Sequence, residues 1–125
     1  VYDLEERTAR FGEQIIFLAR RLEKNSINKR LVDQVVGAGI SIGLNYREAN
    51  AAESLRDFRH KIAICRKESN EVKHALHMIE VANSHMVEVC RSLWKEANEL
   101  LLIFSASIRT CDKKLRTNEK KSITL

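Results

Sequence analysis

At 125 residues, 44% of them hydrophobic, the chain is long enough for one domain with a real core, and it holds no run of about 18 apolar residues that would cross a membrane. Its formal charge of +5 and pI near 9.3 favour polyanionic partners. Proline is absent, and Leu, Ile, Ala, Glu, Lys and Arg are abundant, which is the composition of long helices. Cys65, Cys90 and Cys111 are widely spaced and form no Cys-x-x-Cys pair, as expected of a reduced chain with packed thiols. No secretory signal precedes the first helical stretch, so a cytoplasmic location is expected, with room for a few residues before Val1.

The apolar pattern predicts four helices, at about 3–24, 28–52, 54–82 and 86–115, within one domain spanning 1–125. The first begins near Asp3, with Glu6 at capping-box spacing, and turns Leu4, Thr8, Phe11, Ile15, Leu18 and Leu22 inward. The turn "EKNSINK" follows. The second helix carries Leu31, Val35, Ala38, Ile42, Asn45 and Ala49 on one stripe and Val32, Val36, Gly39, Gly43 and Tyr46 on another, so it should be the most buried. Ser54, with Asp57 three residues on, opens the third, whose stripe is Leu55, Phe58, Ile62, Cys65, Ser69, Val72, Leu76 and Ile79. The fourth carries Cys90, Leu93, Ala97, Leu100, Phe104, Ile108 and Cys111. Its run "LLLIF" is too wide for one seam, so Trp94, Leu101, Leu102 and Ile103 are candidates for a subunit interface. The tail, about 116–125, is expected to fray. Short joints between long helices make neighbours antiparallel, which gives an all-α, up-down-up-down four-helix bundle.

The stretch "GAGISIGLNYREANAAES" poses a choice between a phosphate loop and a helix crossing. A dinucleotide fingerprint needs glycine where Ile42 stands and a strand before it; a P-loop needs Gly-Lys-Ser/Thr. Neither is present. Gly39, Ser41 and Gly43 instead read as small residues that let another backbone approach. Asn45, on the inward stripe, reads as a register-fixing amide with Ser41 as a partner.

Three blocks, "VYDLEERTARFGEQIIFLARRL", "SIGLNYREANAAESLRDFRHKIAICRKESNE" and "EANELLLIFSASIRT", resemble the bacterial four-helix-bundle family of the 23S rRNA intervening-sequence protein. The resemblance covers nearly the whole chain and is most specific from Ser41 to Glu71. It implies left-handed bundles assembled as ring-like homopentamers, with no catalysis. A related branch, the accessory variability determinant of diversity-generating retroelements, implies a nucleic-acid enzyme and nucleic acid as partners. The chain departs from the commoner family pattern at Ala38, which leaves the fold unaffected.

On the third helix Arg56, Arg59, His60, Arg66, Lys67, Lys73, His74 and His77 fall opposite the core stripe, and no acid of that helix shares their arc. Arg7, Arg10, Arg21 and Lys24 add a basic line on the first helix; Lys113, Lys114, Arg116, Lys120 and Lys121 add another near the end. A solvated face accounts for such a pattern; so does a surface for the phosphates of RNA or single-stranded DNA. The aromatics (Tyr2, Phe11, Phe17, Tyr46, Phe58, Trp94, Phe104) mostly fall at core positions, so binding would follow shape and charge.

Glu71-Val72-Lys73-His74 fits half of a di-iron motif, yet a second copy and two inward glutamates are missing. The histidines cluster away from the cysteines, so no nucleophile–base pair emerges. The sequence therefore points to a non-enzymatic oligomeric scaffold or adaptor, without cofactor or metal, holding nucleic acid or a nucleic-acid enzyme. The other reading is a purely structural or protein-binding module.

Overall fold

The structure, a computed structural model, describes residues 3–124. Helices α1 (Leu4–Arg21), α2 (Ser26–Asn50), α3 (Leu55–Ala82) and α4 (Val87–Thr124) follow one another, with a single 3₁₀ turn, Ser84–Met86, before α4. No strand occurs among the described residues. Thr8 and Gly12 of α1 lie against Gly43 and Gly39 of α2. Lys61 near the start of α3 reaches Glu48 near the end of α2 at 2.8 Å, and Arg91 near the start of α4 reaches Glu80 near the end of α3 at 3.0 Å. Neighbours are thus antiparallel, and the fold is the all-α four-helix bundle that the apolar stripes predict.

Local chemistry sets the helix starts. Asp3 accepts hydrogen bonds from the backbone N–H groups of Glu5 and Glu6. The reciprocal half of a capping box does not form, because the Glu6 carboxylate pairs with Arg10 instead. Asn25 accepts from the N–H of Asn28 and starts α2 at Ser26, two residues before the expected position. Ser54 caps α3 through the N–H of Asp57. The largest difference is at the end. The tail expected to fray is helical through Thr124; Leu125 lies outside the described residues. Packing carries α4 as far as Leu115, and an ion pair reaches beyond it. Ile108 and Cys111 are buried and Leu115 is half-buried, so the apolar stripe continues one turn further, and Glu119 meets Arg56 of α3 at 3.2 Å. α4 is therefore about 57 Å long, twice the length of α1.

The core is one cluster built from all four helices, with Phe11, Ile15, Ile42, Ile62, Leu76, Ile79, Leu100 and Phe104 at its centre. Two expectations fail. α2 is not specially buried, since Ile27, Ile40 and Leu44 are exposed. Phe17 is exposed rather than in the core, and Tyr2 lies outside the described residues. At the end of the bundle that holds the α1–α2 and α3–α4 joints, the buried amides of Asn28 and Asn83 exchange two hydrogen bonds, at 3.0 and 2.9 Å. Each also donates to a backbone carbonyl, of Glu23 and Ile79 respectively. Among the described residues no buried side-chain polar atom lacks a partner.

The glycines of α2 are not equivalent. A Cβ on Gly39 would stand 3.1 Å from two side-chain carbons of Ile15, while one on Gly37 would meet nothing. A Cβ on Gly43 would make ordinary contact with Thr8, and Gly12 of α1 faces the carbonyl of Gly39. None of them has positive φ, so Gly12, Gly39 and Gly43 serve close approach rather than turn geometry, and Gly37 serves neither. Gly37→Ala should raise unfolding free energy by about 1 kcal/mol. Gly39→Ala should lower it by about 1–2 kcal/mol, because a fully buried, β-branched Ile15 cannot swing aside. Urea unfolding followed by circular dichroism measures both, and a gain at Gly39 would remove the close-packing account.

Candidate nucleic-acid interface

The edge of α3 that faces α4 carries Arg59, Arg66, Lys73 and Glu80 at steps of seven. The facing positions of α4 step back by seven as well. Arg59 forks onto Asp112, with Nε 2.6 Å from Oδ1 and Nη2 3.3 Å from Oδ2. Lys73 donates to Asn98 Oδ1 at 3.0 Å and lies 4.5 Å over the ring of Trp94. Arg91 closes the last rung on Glu80. At the level of Arg66 the same register places Ser105, so this rung holds no carboxylate. Arg66 is exposed, and no ion pair reaches it.

Asp112 is the centre of a small cationic cluster. Its hydrogen bond to Arg59 holds the carboxyl below its ordinary value, and the charges of Arg59, Arg116 and Arg66 act in the same direction. Arg59 is bonded to this carboxylate, while Arg66 and Arg116 act on it through space. The α3 arc that lacks acids of its own is therefore partly neutralised by α4, a pairing that only the packed bundle creates.

The other predicted cations divide in two. Arg56 pairs with Glu119, Arg10 with Glu6, and Arg7 with Glu96 and Glu99 at 2.7 and 2.8 Å. The Arg7 hydrogen bond depresses the Glu96 carboxyl, so the stability that this pair adds is lost as pH falls through the acidic range. By contrast Arg21, Lys67, Lys113, Lys114 and Arg116 are exposed and carry no ion pair.

The packing residues also have definite positions. Gly39 and Asn45 are buried, and Ser41 and Gly43 half-buried; Asn45 donates to both the carbonyl and the hydroxyl oxygen of Ser41, each at 2.9 Å. Of the interface candidates, Leu102 is exposed, Trp94 is partly shielded by Lys73, and Leu101 and Ile103 are half-buried. Sequence reasoning missed a second apolar patch. Ile16, Ile40 and Leu44 are exposed around a groove between α1 and α2, floored by Gly12, Gly39 and Gly43. The signal was present, since these three large residues fall off both apolar stripes.

No group of three or more His, Cys, Asp and Glu side chains is placed to hold a metal among the described residues, and His74 and His77 are exposed. The three cysteines are free and buried. Burial pushes the Cys65 thiol up to about 12 and the Cys90 thiol up to about 11. On the flank toward α2, burial and then the neighbouring Glu71 raise the Glu68 carboxyl above its ordinary value.

The architecture is that of an all-α helical bundle with an ionic seam between α3 and α4. The comparisons agree with this class. The family model for the 23S rRNA-intervening sequence protein matches residues 2–106, and the chain belongs to that family. A crystal structure from Bacteroides thetaiotaomicron, a protein with unknown function from the S23 ribosomal protein family, superposes with a TM-score of 0.74 at 25% identity, covering 85% of this chain and 98% of the other. No curated protein matches the sequence significantly. No helix among the described residues is long and apolar enough to cross a membrane.

Two outcomes follow. A raised carboxyl pKa means that the folded state holds its proton more tightly than the unfolded one, so ionising Glu68 costs stability as pH rises. Glu68→Gln should unfold at a higher temperature than the parent at pH 7, with the gap closing as pH falls through the ordinary carboxylate range; thermal scans across pH read this directly. Cys65 and Cys90 should resist a charged maleimide at pH 8 in the native state and react once urea unfolds the chain, as mass spectrometry would show.

Proposed function

We propose that this chain is a non-enzymatic helical scaffold that holds nucleic acid through its phosphates, using the α3–α4 seam. The observation that carries this reading is the cationic cluster on the seam, where exposed Arg66 faces Ser105 rather than a carboxylate while its neighbour Arg59 is bonded to Asp112. A surface salt bridge contributes little to stability, so such a cluster keeps net positive charge available to an outside anion. The empty rung at Arg66 is where a phosphate oxygen would complete the seam. Among the described residues, exposed Trp94 is covered by Lys73 and exposed Phe17 stands on α1, so they form no stacking row, and binding follows shape and charge.

A second reading rests on a separate observation. Leu102, Ile16, Ile40 and Leu44 are exposed on outer faces, and exposed apolar patches mark contacts with other chains. They support self-association, for which a ring of copies is the form implied by family resemblance, or the docking of a nucleic-acid enzyme.

Titration of the chain against RNA and DNA at 50 and 200 mM salt tests the first reading. About four phosphate contacts would cost roughly 100-fold in affinity between those conditions. Arg66→Gln, which leaves the Arg59–Asp112 pair intact, should weaken binding several-fold without changing helicity. Absence of binding at low salt, or affinity indifferent to salt, would remove the proposal and leave the protein-binding module.

A further inference from the structure

The family model ends at residue 106, but α4 continues to Thr124. The added length is strongly basic: from Arg109 to Lys121 six cations stand against two acids. Their placement is ordered. At about 100° per residue, Arg109, Lys113, Arg116 and Lys120 fall within roughly 60° of one another, and Lys114 and Lys121 form a parallel row beside them. Asp112 and Glu119 occupy the opposite side of this stripe, between it and the buried line of Ile108 and Cys111, where they bond Arg59 and Arg56 of α3. The acids thus face inward to hold α4 on α3, and the main cationic row faces outward.

The neighbours leave Arg109, Lys113 and Arg116 of that row open. Arg7, one turn into α1, already sits at Glu96 and Glu99. α1 therefore ends near that level, and the remaining length of α4 has α3 as its neighbour. Arg109, Lys113, Lys114 and Arg116 are exposed, and no carboxylate among the described residues forms an ion pair with any of them. From Arg116 to Ser122 every residue is polar and exposed. A helix turn that is polar all round gains little from burial in the free protein.

We infer that the α4 arm past residue 106 is a clamp for the phosphate backbone of a nucleic-acid duplex. This deepens the proposed function and rests on it. The open cations from Arg109 to Arg116 run for about 10 Å along the helix, which suits a linear polyanion better than a metal ion or a single phosphate group. No aromatic residue occurs after Phe104, so the arm lacks the stacking platforms by which single strands are held. What remains is charge alone, and a duplex presents it most densely. Base sequence goes unread, and RNA and DNA duplexes are both ligands for the arm because both present a dense phosphate backbone, though in different helical forms.

The test is fluorescence anisotropy with the full chain and a labelled 20-base-pair duplex, as DNA and as RNA, beside each single strand and polyglutamate-competed controls, at 50 and 200 mM salt. Duplexes should bind at least about fivefold more tightly than single strands. The triple variant Arg109→Gln, Lys113→Gln, Lys114→Gln should weaken duplex binding about tenfold or more and lower the log–log salt slope by roughly 2–3. Glutamine keeps helix propensity, and circular dichroism verifies the fold. Lys113→Arg with Lys114→Arg should retain full affinity. If the parent binds and the triple variant binds equally well, the arm assignment falls while the seam reading stands. Single strands bound as tightly as duplexes, or direct binding of labelled polyglutamate at all, likewise overturn it. If the parent binds no nucleic acid, the proposed function falls first, and the clamp with it.

Discussion

Ile15 of α1 fills the space that a side chain at Gly39 of α2 would need, and the rest of the bundle is arranged around that contact. With Gly12 facing the Gly39 carbonyl and Thr8 against Gly43, the backbones of α1 and α2 pack closely along one crossing. Close approach brings dispersion contacts that offset the helix penalty of glycine. It also fixes where α1 sits along α2, and hence along α4. Arg7 then falls beside Glu96 and Glu99, the polar bond across the α1–α4 side. Because α1 is short, that bond marks the end of its cover, and the second half of α4 is left with one main neighbour.

The opposite seam follows another logic. α3 and α4 share a heptad register, so polar residues seven apart on one helix meet polar residues seven apart on the other. Three rungs are satisfied by Asp112, Asn98 and Arg91, and the rung of Arg66 is not. A seam with a spare cation, next to a helix whose outward row is cationic, has charge left for something outside the molecule. The same register explains why the acids of α4 do not neutralise its basic row: Asp112 and Glu119 are drawn toward α3.

Much of the candidate site was legible in the chain. The basic arc of α3 and the late lysines were evident from composition and spacing. Their pairing was not, because Arg59–Asp112 and Arg56–Glu119 join residues more than fifty positions apart. The Asn28–Asn83 exchange was likewise invisible, since each amide reads alone as a turn residue. The length of α4 was misjudged for a local reason. A polar tail looks frayed until the partner of Ile108, Cys111 and Leu115 is known.

The sequence by itself determined four helices, their caps and their antiparallel order, because periodicity, capping chemistry and short joints act within a few residues. It also identified Gly39 and Gly43 as packing positions and Asn45 as a buried amide that turns to Ser41. Tertiary structure alone decided which cations are spent and which remain, where Gly12 and Ile15 meet Gly39, and how far α4 stays helical. Those outcomes depend on register between elements distant in the chain. Register is set by the fit of whole apolar faces against one another, and no local pattern encodes that fit.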